Sequence, residues 1–475
     1  MGLASSVEEV VRKIEANLMG VAFVTDAEDR LVGAVTDGDL RRVLLEGRLG
    51  LGMPVTEVMN TNPSVLSVGS GAEATFAALS VGVSEGKTVF PRVDEEGRIH
   101  SFAFRENWGL VPIAEPMLSG NEKAYVMECL DSSWISSTGP FIERFEREFA
   151  TFTGLPNPVA CSNGTVAITL ALQALGMPKG AEVILPNCTF AATANAVIAA
   201  GGRAVLADVD EATWGLSPAT VEPMLGPETW GVIPVHLYGN PCDITGLRTL
   251  CDQRGLVMVE DCAEAIGTYA AGRHVGAVSE AASFSFFGNK TITTGEGGMV
   301  FFRDPERARR ARVIRAHGVS TERRYWHEIV GFNYRMTSMQ AAVGLAQTER
   351  ADELVQSKLA HALEYSEGLD GLPGLSLMPS SSFGRCSYWL VPVLVDGSRE
   401  RRDMAMEMLA ARGIQSRETF PPLNQMPAFA GLRGAGTFPV SERIADNGLC
   451  LPNNPGMSAD DIQTAVIALR EFADT

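Results

Sequence analysis

A lysine stands alone in the stretch FSFFGNKTITTGEGG, residues 284–298. Lys290 is the only lysine between Gly180 and Ser357, although arginines are plentiful across this span. Unlike arginine, lysine can lose its proton and form an imine once burial lowers the pKa of its amine. The aromatic run before Lys290 and the glycine-rich turn after it indicate a strand edge and a tight turn. We therefore predict a nucleophile that forms a Schiff base with an aldehyde, against the alternative of a lysine whose amine reaches water.

A glycine turn that leads into a helix is predicted in PVACSNGTVAITLALQALG. The strand there breaks at Asn163 and Gly164, and apolar residues at helical spacing follow Thr165. The N-terminus of a helix exposes backbone N–H groups and the positive end of its dipole, so this turn can bind a phosphate. Taken alone, the pattern is more often a plain helix cap.

The segment GLVMVEDCAEAIG places two carboxylates, Glu260 and Asp261, at the end of a hydrophobic strand. Ligands of open α/β sheets bind at this carboxyl edge. A carboxylate there can keep a pyridine nitrogen protonated, so that the ring acts as an electron sink. A helix N-cap is an equally good interpretation of this aspartate. In combination, a phosphate-binding turn, a carboxylate and a lysine, in this order, indicate a site for pyridoxal phosphate (PLP).

The middle of the chain alternates short apolar runs with segments of helical length. The runs AEVILP, RAVLADV, WGVIPVHLYG and GLVMVED are rich in valine and isoleucine, which predicts strands. The alternation predicts an α/β fold whose mainly parallel sheet lies between two layers of helices. One long helix is predicted over TSMQAAVGLAQTERADELVQSKLAHALEYSEGL, and a smaller α+β unit follows it.

An internal repeat is predicted in the N-terminal part of the chain. FVTDAEDRLVGAV and FPRVDEEGRIHSF read as two copies of one hairpin, roughly 70 residues apart. Residues 1–108 thereby resemble a CBS-domain pair, a module that often binds nucleotides, and a linker is predicted near 107–112. The resemblance implies that Thr36 and Asp39 contact a nucleotide. The second copy has Arg105 and Glu106 instead, so one site at most is implied, and a docking module without a ligand is an equal alternative.

The overall composition limits the classes of partner. The formal net charge of −18 and the pI near 4.9 argue against nucleic acid and anionic membranes as main partners. No apolar run reaches the ~18 residues that a spanning helix needs. The eight cysteines form no C-x-x-C pair and the six histidines no H-x-x-x-H pair, so no metal site is predicted. Free thiols favour a reducing cytoplasm.

From about residue 112 onward the chain resembles the DegT-type nucleotide-sugar aminotransferases, which are PLP enzymes. The resemblance rests on WISSTGPFIERFE, SNGT, TFAATANAV, PVHLYG, EDCAEAIG, FSFFGNKTITTGEGG and HGVSTERRYWHEIVGFNYRMTSMQAA. It implies PLP fold type I, a PLP-binding domain over 109–358, a small C-terminal domain over 359–475, and a homodimer. It also implies transfer of an amino group from glutamate to a 4-keto-6-deoxy nucleotide sugar, with GDP-4-keto-6-deoxymannose as the first choice.

The resemblance also implies a role for individual residues. Lys290 would hold PLP and move the reacting proton, Asp261 would hold the pyridine N–H, and Glu264 would lie near the ring hydroxyl, where many relatives have glutamine. The other implied cofactor contacts are Phe190 on the ring face, Gly164, Thr165 and Ser285 at the phosphate, Asn163, and Asn333 from the neighbouring subunit. The implied nucleotide-sugar contacts are Ser136, Ser137, His317 and Arg335. For His236 and for His317, a purely structural histidine is an equal alternative.

Two other functions are alternatives to transamination. Some relatives use PLP to remove a sugar hydroxyl, but the 3-dehydratase type has histidine where this chain has Lys290. The iron–sulfur type needs a cysteine cluster, which the sequence lacks. A non-catalytic sensor with the same fold is the second alternative. Lys290, Asp261 and the phosphate residues are all present, and no basic patch is seen, which disfavours a sensor.

Overall fold

Two compact units make up the chain in the computed structural model, which describes residues 2–17, 20–48, 50, 52–67, 89–94, 96–104, 111–320, 322–323, 325–434 and 436–474. The first unit comprises Met1–Val111 with Ala410–Ile414, and the second comprises Pro112–Leu409 with Gln415–Thr475. Arg105, Glu106, the linker residues 107–110 and the boundary expected after residue 108 lie outside the described residues.

The first unit contains both hairpins of the expected repeat. Its helices and strands are α1 (Val7–Asn17), β1 (Val21–Thr25), β2 (Leu31–Thr36), α2 (Asp37–Leu45), β3 (Leu66–Ser67), β4 (Val89–Val93) and β5 (Ile99–Phe104). β1 pairs antiparallel with β2, and β4 with β5, each with a register shift before the turn. Both turns use one aspartate: Asp26 Oδ1 accepts from the N–H of Glu28 and Arg30, and Asp94 Oδ1 from the N–H of Glu96 and Arg98. The two hairpins therefore share their turn chemistry as well as their pattern.

The helices and strands of the second unit alternate along the chain. Its helices are α3 (Glu122–Ser132), α4 (Pro140–Thr153), α5 (Gly164–Leu175), α6 (Ala192–Ala199), α7 (Pro218–Val221), α8 (Ile244–Arg254), α9 (Pro305–Arg315), α10 (Ser338–Thr348), α11 (Ala351–Leu369), α12 (Arg399–Ala411), α13 (Pro439–Asn447) and α14 (Ala459–Ala473). Its strands are β6 (Pro158–Cys161), β7 (Glu182–Pro186), β8 (Arg203–Ala207), β9 (Thr229–Val232), β10 (Val257–Asp261), β11 (Tyr269–Ala270), β12 (Arg273–His274), β13 (Ala281–Ser285), β14 (Gly298–Phe302), β15 (Leu375–Leu377), β16 (Gly384–Arg385), β17 (Val391–Val395), β18 (Arg417–Glu418), β19 (Arg433–Gly434) and β20 (Gly448–Leu451).

The main sheet has eight strands in the order β19-β8-β7-β9-β10-β13-β14-β6. The pairs from β19 to β13 are parallel, and β14 alone runs antiparallel to its neighbours. β13 and β14 are buried along their whole length, because helices cover both faces of the sheet. One face packs on phenylalanines of α4, such as Phe149, whose ring meets that of Phe284 edge-on at 5.3 Å. The prediction of a mainly parallel, helix-covered sheet is confirmed.

A smaller antiparallel sheet follows, in the order β15-β17-β20-β18, with α12, α13 and α14 in the same part of the chain. This agrees with the predicted α+β unit. The single helix predicted over residues 337–369 is wrong, because the structure has α10 and α11 with a break at Glu349 and Arg350. At the break, Tyr125 Oη donates to Glu349 Oε1 at 2.7 Å, and Arg350 Nη1 donates to Ser119 Oγ at 2.9 Å. These tertiary contacts override the helix propensity of the segment.

Candidate active site

Three strand ends bring the predicted cofactor residues to one edge of the main sheet. β10 pairs in parallel with β13, with Asp261 opposite Ser283. β14 runs back between β13 and β6, so that Ser285 and Cys161 both lie opposite Gly298. The chain therefore leaves β6, β10 and β13 at the same edge. Asp261, Ser285 and the start of α5 meet there, at the carboxyl edge where ligands of such sheets bind.

The N-terminus of α5 forms a cup at this edge. Asn163 caps the helix, because its Oδ1 accepts a hydrogen bond from the N–H of Val166 at 2.9 Å. Gly164 lies so close to the buried Ser285 that a Cβ added to it would come within 2.7 Å of the serine Cβ. Thr165 is partly exposed in the first turn. The remaining N–H groups of that turn and the Ser285 hydroxyl make a site that suits a phosphate.

Lys290 is nearly enclosed, with 12% of its side chain exposed. Its Nζ lies 3.3 Å from Glu264 Oε1 and 3.8 Å from the centre of the Trp389 indole ring. Glu264 is itself held by the backbone N–H of Tyr238, which donates to Oε2 at 2.9 Å. Burial lowers the pKa of the Lys290 amine, while the negative charges of Glu264 and Asp261 raise it in part. The result is an amine that can lose its proton and act as a nucleophile.

Asp261 is buried and held in place by two donors. The Thr193 hydroxyl donates to Oδ2 at 2.8 Å, and the N–H of Ala263 donates to Oδ1 at 3.1 Å. Burial raises the pKa of this carboxyl group, and the two hydrogen bonds oppose the increase. The helix N-cap interpretation of Asp261 is wrong, because the chain after it forms turns and not a helix. A buried acid at this position suits a cationic ring nitrogen as its partner.

Phe190 begins a row of aromatic rings at the same edge. It is 59% exposed, so it is not a core residue, and its ring centre lies 5.8 Å from that of Phe420. Phe420 stacks on Tyr238 at 5.6 Å, and Tyr238 stacks on Trp389 at 6.3 Å. The exposed ring of Phe190 is therefore free to cover a flat ligand. The inner rings form an apolar surface beside Lys290.

His236 and Glu260 form a buried pair that does not contact Lys290. Nε2 of His236 lies 3.0 Å from Glu260 Oε2, and Nδ1 accepts from the N–H of Cys242 at 3.2 Å. Burial opposes the charge of Glu260, but the hydrogen bonds from His236 and from the N–H of Gly276 outweigh it and lower the pKa of the carboxyl group. Of the two interpretations of His236, the structural one is correct.

Residues 116–470 match the sequence model of the DegT/DnrJ/EryC1/StrS aminotransferase family. The chain belongs to this family. It is 40% identical to the GDP-perosamine synthase of Vibrio cholerae over 364 residues, which are 76% of this chain and 99% of that protein. It is 42% identical to the GDP-perosamine synthase of Caulobacter vibrioides over 361 residues, 76% of this chain and 97% of that protein.

Solved structures agree with this assignment. S. venezuelae DesV, in complex with a ketimine intermediate, matches with a TM-score of 0.71 and 37% identity over 75% of this chain and 95% of that chain. Spr1654 of Streptococcus pneumoniae, in its PLP form, matches with a TM-score of 0.73 and 25% identity over 77% of this chain and 99% of that chain. The fold is PLP fold type I, as predicted, and the protein is a PLP-dependent aminotransferase of the DegT family.

The site residues of this DegT-family chain fit PLP in charge and shape. The cup at α5 and Ser285 suits the phosphate, the buried Asp261 suits a protonated ring nitrogen, and Lys290 suits the aldehyde. Because Gly164 has no Cβ, the turn can lie directly against Ser285. Any larger residue at this position would clash with that serine. Thr193, Trp389 and Arg417 were not predicted, although Thr193 lies within the quoted motif TFAATANAV and the other two lie in none of the quoted motifs.

Three of the residues expected near the nucleotide sugar or the phosphate form a cluster of their own. Arg335 Nε donates to Asn333 Oδ1 at 3.0 Å, and Arg335 Nη2 lies 3.4 Å from His317 Nε2. His317 has a left-handed backbone, with φ of 64°. The N–H of Ser162 donates to the carbonyl of Tyr334 at 2.9 Å, so the segment runs beside the turn before α5. Among the hydrogen bonds of the described residues, none joins this cluster to Lys290 or Asp261.

Ser136 and Ser137 lie in the loop before α4. Ser136 is exposed, its Oγ lies 3.1 Å from Thr138 Oγ1, and its carbonyl accepts from the N–H of Ser338 at 2.6 Å. Ser137 is partly exposed. This loop therefore caps α10 and presents hydroxyl groups at the surface.

In the first unit, Thr36 and Asp39 form a capping box at the start of α2. The Thr36 hydroxyl lies 2.7 Å from Asp39 Oδ2, and the N–H of Thr36 donates to the same oxygen at 3.0 Å. Asp39 also pairs with Arg42 at 3.2 Å. The two residues thus have a structural role in the cap, and their expected contact with a nucleotide stays a prediction.

Among the helices of the described residues, none combines the length and the apolar character needed to cross a bilayer.

Proposed function

We propose that this protein transfers the amino group of glutamate to GDP-4-keto-6-deoxymannose and so forms GDP-perosamine. The main support is the placement of Lys290, a nearly enclosed amine with a lowered pKa, beside Glu264 and close to Asp261. The sequence identity to GDP-perosamine synthases over three quarters of the chain supports this choice of sugar substrate.

The residues of the site divide the work between binding and proton transfer. When bound, PLP supplies an aldehyde and an electron-withdrawing ring. Lys290 would provide the amine that holds the aldehyde, and its Nζ would move the proton between the donor's α-carbon and the cofactor carbon. Glu264 orients that Nζ. Asp261 keeps the ring nitrogen protonated, and Thr193 keeps Asp261 in place.

The other predicted contacts complete the proposal. Asn163, Gly164, Thr165 and Ser285 bind the phosphate, and Phe190 covers the exposed ring face. Two copies of the chain form the working unit, with Asn333 of one copy at the phosphate of the other, and Ser136, Ser137, His317 and Arg335 contact the nucleotide sugar. All eight cysteines are free and buried, which supports a reducing, cytoplasmic location.

The domain ranges 1–108, 109–358 and 359–475 are proposed on the same basis. We further propose that residues 1–108 are a CBS pair that binds a nucleotide at Thr36 and Asp39. Calorimetry of the whole protein with adenine and guanine nucleotides tests this. Binding that is lost in the Asp39→Ala variant supports the proposal, and the absence of heat with all nucleotides contradicts it.

The proposed reaction is tested with glutamate and a panel of keto-sugar nucleotides, with the products identified by mass. The expected result is an amino sugar from GDP-4-keto-6-deoxymannose. An amino sugar formed only from a dTDP-linked substrate would contradict the choice of nucleotide but not the transamination. A product that has lost a hydroxyl group without gaining nitrogen would identify a dehydratase instead.

A further inference from the structure

The peptide group between Asn289 and Lys290 is held at both of its polar ends. The N–H of Lys290 donates to the carbonyl of Phe287 at 2.9 Å. The carbonyl of Asn289 accepts a hydrogen bond from the indole Nε1 of Trp389 at 2.6 Å. Because a peptide group is planar and rigid, hydrogen bonds at both ends fix the direction in which the chain enters the Cα of Lys290. One of these two bonds comes from a residue that is distant in sequence.

Trp389 is itself held firmly in place. It is buried, its N–H donates to the carbonyl of Tyr238 at 3.0 Å, and its carbonyl accepts from Nζ of Lys358 at 3.1 Å. The rings of Trp389 and Tyr238 stack, with their centres 6.3 Å apart and their planes 12° from parallel. The backbone and the ring of Trp389 are therefore both fixed, as a residue that orients another side chain requires.

The face of the same indole ring lies against the reacting end of Lys290. The Nζ of Lys290 lies 3.8 Å from the centre of the ring. An aromatic face attracts a cation without accepting a conventional hydrogen bond from it, so the ring holds the amine and leaves its N–H groups available. Tyr238, which accepts from the N–H of Trp389, donates its own N–H to Glu264 Oε2 at 2.9 Å. Trp389 is thereby linked to the carboxylate beside Nζ as well.

We propose that Trp389 positions Lys290 for reaction, through the indole N–H that holds the Asn289 carbonyl and through the indole face that holds Nζ. The inference rests on the role of Lys290 in the transamination proposed above. Trp389 acts through Lys290 and transfers no proton itself, so it is a positioning residue. Such a role affects the rate strongly, because a displacement of about 1 Å at a reacting group can cost about 100-fold.

Two substitutions separate the two contacts of Trp389. Trp389→Phe removes the indole N–H and keeps an aromatic face, whereas Trp389→Leu removes both. The matched control is Trp214→Phe, because Trp214 is also buried and its Nε1 has no hydrogen-bond partner among the described residues. This control measures the cost of replacing a buried indole ring without the loss of a hydrogen bond.

The first measurement needs no cofactor. PLP-free protein is labelled with acetic anhydride across pH, and peptide mass spectrometry follows the acetylation of Lys290, which gives the pKa of its amine. We expect this pKa to fall by about one unit in Trp389→Leu, because the ring no longer stabilises the charged amine. It should change by less than about 0.5 unit in Trp389→Phe and in Trp214→Phe.

The second measurement is the reaction of PLP-loaded protein with glutamate, followed by stopped-flow absorbance of the cofactor. The maximal rate should fall about tenfold in Trp389→Phe and about 100-fold in Trp389→Leu, because Lys290 is no longer held in place. The glutamate concentration at half the maximal rate should change less than about threefold, because the donor itself loses no contact. Trp214→Phe should leave both values within about twofold of wild type.

The other outcomes overturn the inference. Equal rates in Trp389→Phe and Trp214→Phe would show that the indole N–H has only a packing role, and this comparison decides alone if Trp389→Leu does not fold. An unchanged pKa of Lys290 in Trp389→Leu would exclude the contact with the indole face. An effect confined to the glutamate concentration at half the maximal rate would indicate contact with the donor instead. If wild type fails to react with glutamate, the proposed function fails, whereas acetylation of the PLP-free protein still tests the action of Trp389 on Lys290.

Discussion

Lys290 and Lys358 are both buried in the second unit, and both have a lowered pKa, yet their surroundings differ. Lys290 lies beside the carboxylate of Glu264 at the edge of the main sheet. Lys358 lies on α11 and donates to the backbone carbonyls of Trp389, at 3.1 Å, and of Asn453. Burial alone lowers the pKa of Lys358, to about 7. Trp389 thus contacts one lysine through its ring and the other through its carbonyl.

We infer from this comparison that desolvation does not by itself make a lysine reactive. The pKa of both amines is lowered, but the donors of Lys358 are used by two fixed carbonyls. Lys290 has one hydrogen bond and faces an edge with a phosphate cup and a buried acid. Reactivity therefore depends on what a neutral amine can reach, and only Lys290 has room for a partner.

The same substitution should affect the rate of transamination strongly at Lys290 and only weakly at Lys358. Lys290→Met removes the nucleophile and should lower transamination with glutamate by at least about 1,000-fold. Lys358→Met should leave PLP bound and the reaction with glutamate within about tenfold of wild type. Steady-state rates and the absorbance of the bound cofactor test both. A comparable loss of transamination in the two variants would contradict the different roles of Lys290 and Lys358.

The lowered pKa of Lys358 should make the free energy of unfolding depend on pH. Its pKa is about 7 in the folded protein and 10.5 in the unfolded chain. Between these values the unfolded chain binds the proton and the folded protein does not, so the free energy of unfolding rises with pH. The rise is at most about 1.4 kcal/mol per pH unit.

The Lys358→Met variant lacks this contribution. The difference in the free energy of unfolding between wild type and variant should therefore grow in favour of wild type by about 3.5 kcal/mol from pH 7 to pH 10. Denaturant titrations at the two pH values measure it. A difference that is independent of pH would contradict the lowered pKa of Lys358.

The smallest expected effect comes from making the surroundings of Lys290 more like those of Lys358. Glu264→Gln removes the negative charge that raises the pKa of Lys290. The amine should then be neutral at lower pH, and the pH at which PLP-free protein captures PLP at half its maximal rate should fall by about one unit. Stopped-flow capture rates across pH test this. A rise in that pH would contradict the role of Glu264.

Much of this site could be predicted because its chemistry depends on local features of the chain. Lys290 stands out by its isolation among arginines, Asp261 by its place at a strand end, and Gly164 by the turn before a helix. The structure adds what depends on packing. His236 is structural because Glu260, distant in sequence, lies against it, and the helix predicted through Arg350 breaks because Ser119 binds there.

Arg417 could not be predicted for the same physical reason. Its surroundings are set by the rings of Trp389 and Phe420, which its guanidinium contacts. None of these is visible in the segment GIQSRETF. Contacts between rings and charges that are distant in sequence are a property of the fold and not of a motif.

We propose that Lys290, and not Lys358, bonds to the cofactor. Protein loaded with PLP should absorb at about 420 nm, and borohydride should remove this band. Peptide mapping by mass spectrometry should then find the reduced cofactor on the peptide that contains Lys290. Label on the Lys358 peptide, or a protein without label, would rule out Lys290 as the lysine that binds the cofactor.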